Sequence, residues 1–307
     1  MSDVSTLADI SPSDRSTLFG AIRSDHDPTG SSRIVALGAP TDHGNGVRRG
    51  ARYAPSSLRE ASRTRPASGA VRQLVDAGDV CSPETDLEVA HSELQAHAVE
   101  IFSRGDDLLL LGGDHSVSFA SIAALAGIEP VCVIWLDAHT DFSPWSGHHT
   151  HDHKQVLARV SELLGVTSIV QIGFRDLAST DERQLGEDIV VFTSDDIRKA
   201  ETCDVLSVIP EDTACYISVD VDVIDHAWLP ATGTPVPFGI SPQEVGALLE
   251  AVLSARRVRG IDFVELAPRL DDGRSTEVVL DLICKAVSNW GCGSNPLTLS
   301  MNSCSTE

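Results

Sequence analysis

The stretch Val131-Cys-Val-Ile-Trp-Leu136 runs directly into Asp137-Ala-His139-Thr-Asp141, and a second, Ala214-Cys-Tyr-Ile-Ser-Val219, runs into Asp220-Val-Asp222. Both apolar runs have strand length and read as strands buried on both faces. If the extended backbone continues, residues i, i+2 and i+4 share one face. Asp137, His139 and Asp141 then converge on one side, and Asp220 and Asp222 do the same. Five ionisable groups facing a core-like environment cannot stay charged and unpaired. Divalent cations are the economical compensation. The mixed oxygen and imidazole donors fit Mn²⁺, Fe²⁺ or Zn²⁺ better than Ca²⁺.

Working outward, further short apolar runs are centred on residues 33–38, 107–111, 168–172, 189–192 and 260–264. Between them lie segments with helical spacing over 87–102, 116–126, 155–164, 242–255 and 276–288. Strands alternating with helices predict a mainly parallel sheet covered on both faces, a three-layer α/β/α sandwich. No linker splits the chain. The expected organisation is a loosely ordered, Ser/Asp/Pro-rich segment over 1–32, one catalytic domain over 33–290 and a polar tail over 291–307. In sheets of this kind the ligand site lies beyond the carboxyl ends of the strands, where both acidic clusters fall.

Composition narrows the function class. The chain has 307 residues, 42% of them hydrophobic, and a net charge of -22 from 45 acidic and 23 basic residues. So acidic a surface disfavours nucleic acid and anionic membranes and is compatible with cationic substrates. No apolar run approaches the roughly 20 residues of a membrane span, and no signal-peptide core opens the chain. Seven cysteines, an odd number without metal-finger spacing, imply a reducing compartment, with Cys132 and Cys215 as small core residues. The expectation is a cytoplasmic enzyme.

A third motif completes the set. Leu110-Leu111-Gly112-Gly113-Asp114-His115-Ser116 ends another strand and would bring His115 in from a neighbouring β-terminus, with Asp114 orienting a ligand. Combined with Asp137-x-His139-x-Asp141 and Asp220-x-Asp222, it makes the chain resemble the ureohydrolase family, which includes arginase, agmatinase, guanidinobutyrase and formimidoylglutamase. The likeness spans roughly 33–290. It extends to Gly38-Ala-Pro-Thr-Asp42, Arg49-Gly50-Ala51-Arg52, Asp76-Ala-Gly78-Asp79, Gln171-Ile-Gly173-Phe-Arg175 and Gly233-Thr234-Pro235.

The resemblance implies an arginase-like fold and two Mn²⁺ ions per subunit. Their ligands would be His115, Asp137, His139, Asp141, Asp220 and Asp222. Two of the aspartates would bridge the ions, and spacing alone does not say which. It also implies hydrolysis of a guanidino group to urea and an amine, with water activated between the ions. Glu265, in Asp262-Phe-Val-Glu265-Leu-Ala-Pro268, matches the glutamate that faces the substrate guanidinium. His151 matches the expected proton shuttle, so His151, Glu265 and Asp141 are the expected catalytic residues. Glu265 and His153 are the expected substrate contacts.

This loop departs from its relatives: Asp152 stands where glycine is usual, and four histidines fall within Ser146-Gly147-His148-His149-Thr150-His151-Asp152-His153. Trp228 and Phe238 add bulk expected at the rim of the cleft. The substrate is expected to be a small guanidino compound resembling agmatine, arginine or a guanidino acid, with an arginine inside a peptide as a further form. Formimidoylglutamate hydrolysis, with Arg175 and Arg269 as carboxylate partners, and a metal-dependent deacetylase are the alternatives. Relatives imply a trimer or hexamer.

Overall fold

The computed structural model describes residues 17–21, 32–43, 48–65, 72–142, 153–175 and 189–291. Among these, eight strands form one parallel sheet: β1 (Ile34–Gly38), β2 (Leu74–Asp79), β3 (Asp107–Leu111), β4 (Val131–Leu136), β5 (Val166–Phe174), β6 (Ile189–Thr193), β7 (Ala214–Asp220) and β8 (Val258–Val264). Their spatial order is β2-β1-β3-β8-β7-β4-β5-β6. Strands β1, β3, β4 and β7 are buried throughout, as runs such as Leu108-Leu-Leu-Leu111 and Val131–Leu136 require when helices cover both faces.

One helical layer contains α1 (Ala54–Ser62), α7 (Pro242–Ala255) and α8 (Arg274–Asn289), with the short α5 (Ser194–Ile197) and α6 (Thr202–Ser207). The other contains α2 (Leu87–Ser103), α3 (Val117–Ala126) and α4 (Val156–Ser161). The three-layer α/β/α expectation therefore holds. Helix starts are set locally: Asp86 accepts from Glu88 N at 3.0 Å, and Ser241 and Glu244 form a capping box before Pro242. Cys132 and Cys215 are buried opposite one another on β4 and β7.

Strand β2 is not anticipated by the apolar pattern, because Asp76 and Asp79 interrupt it. Both carboxylates pair with the buried Arg59 of α1, at 2.9 and 2.5 Å. That ion pair lets an edge strand carry acids beneath a helix. Leu18 and Phe19 are buried in the same region, and Leu18 N donates to Asp76 Oδ2 at 2.7 Å. Most of 1–32 and all of 292–307 lie outside the described residues. Among the described residues no helix is long and apolar enough to cross a membrane.

Candidate metal centre

The three motifs end β3, β4 and β7, and Glu265 follows β8. In space these are four adjacent strands, β3-β8-β7-β4, so all the motifs open on one edge of the sheet. Gly113, just after β3, lets the chain pass close to the Thr41 backbone beyond β1, where an added Cβ would collide.

The local geometry differs from a continued strand. Strand β4 stops at Leu136, and Asp137–Asp141 form a loop pinned from β5: Gln171 Nε2 donates to His139 O at 2.7 Å, and Asp137 N donates to Ile172 O at 3.0 Å. Asp141 has a left-handed backbone, φ +51°. On the second motif, Asp220 closes β7 and Val221–Val223 make a 3₁₀ turn in which Asp222 N donates to Asp220 Oδ1 at 2.8 Å. The acids converge because turns re-aim them, and non-glycine positive φ at such a place marks strain held for a purpose.

All six expected ligands meet. His115 Nδ1 lies 3.3 Å from Asp137 Oδ2, 3.2 Å from Asp141 Oδ2 and 3.1 Å from Asp220 Oδ2. His139 Nδ1 lies 3.4 Å from Asp137 Oδ1 and 3.0 Å from Asp222 Oδ2. Two donor groups result, His115/Asp137/Asp141 and Asp137/His139/Asp222, each with its donor atoms within 4.8 Å of one another. Asp137 belongs to both and turns one oxygen toward each histidine.

The donors fit divalent cations. His115 Nδ1 is buried and makes no hydrogen bond of acceptable geometry despite three nearby carboxylates. Four carboxylates share only two imidazoles. Burial opposes an ionised Asp137, but His115 and His139 outweigh it and hold its carboxyl below the usual range. The deficit falls on the others. Burial and the charge of Asp137 push Asp141 up to about 7, and burial with Asp222 and Asp137 holds Asp220 well above the ordinary value. Such a cluster needs more positive charge than the chain supplies.

Several supporting residues carry no sequence signal beyond period-two spacing on a buried strand. Trp135 stacks on His115, ring centroids 4.1 Å apart, and its Nε1 donates to Asp137 Oδ2 at 3.0 Å. Ser218, two residues before Asp220, lies 2.9 Å from His115 Nε2. Thr234 Oγ1 donates to Asp222 Oδ2 at 3.2 Å, which places Gly233-Thr234-Pro235 beside the centre. The Asp114 carboxylate accepts from Ser116 N and Oγ at the start of α3.

Glu265 also has positive φ, +63°, and is buried. Its Oε1 accepts from His115 N at 2.9 Å and lies 3.3 Å from His153 Nδ1. Burial disfavours the His153 imidazolium, but Glu265 outweighs it and raises the histidine to about 9. Burial likewise opposes the Glu265 carboxylate, and His153 brings it below its usual value. His153, the described histidine of the histidine-rich loop, opens a turn leading into α4 and stands against Glu265. His151 lies outside the described residues.

Arg175 does not offer a substrate contact. Its guanidinium donates to the carbonyls of Gly173, Asp222, Val223, Val236 and Pro237 at 2.6–3.1 Å. The residue ties the 234–237 loop to the metal-side turn, which corrects its expected role. Replacing Arg175 with Ala would orphan several carbonyls, and a loss of about 3 kcal/mol is expected in denaturant unfolding; an unchanged midpoint would contradict it. Asp271 accepts from Gly273 N, Ser275 N and Ser275 Oγ at the start of α8. Trp228 and Phe238 are exposed, 51% and 77%, on the 225–239 loop.

A family model described as the arginase family matches residues 32–288. The chain is 32% identical over 276 residues to a proclavaminate amidinohydrolase of Streptomyces clavuligerus, covering 84% of this chain and 88% of that protein. It is 31% identical over 280 residues to a formimidoylglutamase of Halobacterium salinarum, covering 84% and 87%. The solved structure of the S. clavuligerus proclavaminate amidinohydrolase superposes with a TM-score of 0.80 at 28% identity, covering 91% of this chain and 98% of that one.

Proposed function

We propose that this chain, which belongs to the arginase family, is a hydrolase of amidino C–N bonds that converts a small guanidino substrate to urea and an amine with two Mn²⁺ ions. The observation that carries the reading is the pair of donor groups sharing Asp137, with the Glu265–His153 pair beside them. His115, Asp137, Asp141 and Asp220 would hold one ion. Asp137, which belongs to both donor groups, His139 and Asp222 would hold the other. When bound, the ions supply Lewis-acid charge and activate water near neutral pH.

The chain's own residues do the rest. The Glu265 carboxylate, fixed by the His115 backbone N–H, offers two oxygens to a planar guanidinium. An arriving cation competes with His153 for Glu265 and releases an imidazolium. His153 then delivers its proton to the departing amine. His153 thus takes the shuttle role that the family resemblance implies for His151. Asp141, whose Oδ2 faces His115 Nδ1, serves as ligand more directly than as proton carrier.

A formimidoylglutamate substrate is the second reading, favoured by the Halobacterium relative. It is weakened by the loss of Arg175 as a carboxylate partner. A one-metal deacetylase is weakened by the two donor groups. Resemblance also supports a homo-oligomer, a trimer or hexamer, whose catalytic domain spans 33–290, and the odd cysteine count supports a reducing compartment such as the cytoplasm.

The test is Mn²⁺-loaded protein against arginine, agmatine, guanidino acids, an arginine peptide and formimidoylglutamate. Urea from a guanidino compound supports the first reading, and formamide the second; neither product from any of them would sink both. Under the best substrate, His153→Ala is expected to lower kcat by about 10²–10³-fold, and His151→Ala by less than about tenfold. The reverse order would return the shuttle role to His151.

A further inference from the structure

A buried polar chain runs behind His115, away from the substrate side. Strands β7 and β8 pair with Tyr216 opposite Gly260 and Ser218 opposite Asp262. Residues two apart share a face, so Tyr216, Ser218 and Asp220 form a row on β7 that ends in the metal centre. Gly260 leaves room for the Tyr216 ring, which an added Cβ would strike. The phenol reaches past it and donates to Asp262 Oδ2 at 2.9 Å.

Asp262 Oδ1 accepts from Ser218 Oγ at 2.7 Å, and Ser218 Oγ lies 2.9 Å from His115 Nε2. Helix α3 closes the network: Ser121 Oγ lies 2.6 Å from the phenol oxygen and Ser118 Oγ lies 3.3 Å from Ser218 Oγ. Ser118, Ser121, Ser218 and Asp262 are fully buried, as is Tyr216. Among the described residues no arginine or lysine bonds to Asp262. A buried carboxylate without a cation is costly. The positive charge nearest to it by bonds is at the metal centre, reached through Ser218 and His115.

We propose that Asp262, held by Tyr216, is a positioning residue for the metal centre: through Ser218 it keeps the His115 proton on Nε2 and leaves Nδ1 bare toward Asp137, Asp141 and Asp220. A serine hydroxyl has one proton. Given to Asp262, it leaves only a lone pair for His115, whose Nε2 must then carry hydrogen. Without an acceptor at 262, Ser218 can donate to Nε2 instead and drive the proton to Nδ1, where it blocks a cation. Outer-shell partners of a metal-bound histidine work in this way.

This inference rests on the metal reading of the proposed function, so Mn²⁺ affinity of the full chain is the measurement, with circular dichroism to establish folding. Asp262→Leu is expected to weaken Mn²⁺ binding about 10–100-fold. Asp262→Asn, which can still turn an oxygen to Ser218 while the phenol turns to Ser121, is expected to fall between it and the wild type. Tyr216→Phe is expected to weaken binding by a smaller factor, about 3–10-fold. A folded Asp262→Leu chain with wild-type affinity would overturn the proposal. If that variant does not fold, wild-type affinity in Tyr216→Phe overturns it instead. Failure of the wild type to bind Mn²⁺ would be a different result, against the metal reading itself.

Discussion

Replacing Asp137 with alanine is expected to cut bound Mn²⁺ from two ions per chain to fewer than one and to lower urea release by about 10³-fold or more. The size follows from sharing. Asp137 Oδ2 faces His115 and Oδ1 faces His139, so one truncation removes a donor from both groups. It also strands Trp135 Nε1, which donates to Oδ2, and His139 N, which donates to Oδ1 at 2.7 Å. By contrast, Asp222→Ala removes a donor from the His139 group alone. It is expected to leave one ion bound more firmly than the other. Metal analysis of the purified variants reads both outcomes, and full metal content in Asp137→Ala would end the case for a shared carboxylate.

Glu265→Gln should leave the metal content intact while reducing kcat/KM by about 10²–10³-fold for a cationic substrate. The amide keeps an oxygen for the His115 backbone N–H, so the local fold has no reason to change. What disappears is the negative charge that faces His153 and that the proposed function assigns to a substrate guanidinium. Two effects then combine. Substrate loses its charge-assisted contact, and the His153 imidazolium, raised to about 9 chiefly by Glu265 against burial, loses the partner that keeps it protonated. A Gln variant with unchanged kcat/KM and full metal content would remove Glu265 from the substrate site.

Much of this was legible in the chain. Long apolar runs such as Val131–Leu136 and Ala214–Val219 admit few readings besides buried parallel strands, and the ionisable residues that stop them announce a ligand edge. Strand β2 was not legible, because its acids make sense only once Arg59 is folded down over them. Nor could spacing rank four histidines packed into 148–153. Among the described residues the turn at His153–Gln155 sets His153 against Glu265, a contact that no local spacing announces. Local sequence offers Arg175 as a substrate-carboxylate partner because its carbonyl partners 47 and 61 residues away leave no mark there.

The amino-acid order by itself determined the α/β class and the sheet edge on which the acidic motifs lie, and those motifs named six candidate ligands through their resemblance to the family. Those features depend on residue type and local periodicity, which are properties of short segments. The tertiary structure alone decided that Asp137 is the shared carboxylate, that turns and left-handed φ angles aim Asp141 and Glu265, and that Asp262 stands behind His115. Those features depend on which strands become neighbours and in what register, and such distances are set only when the whole sheet closes its core.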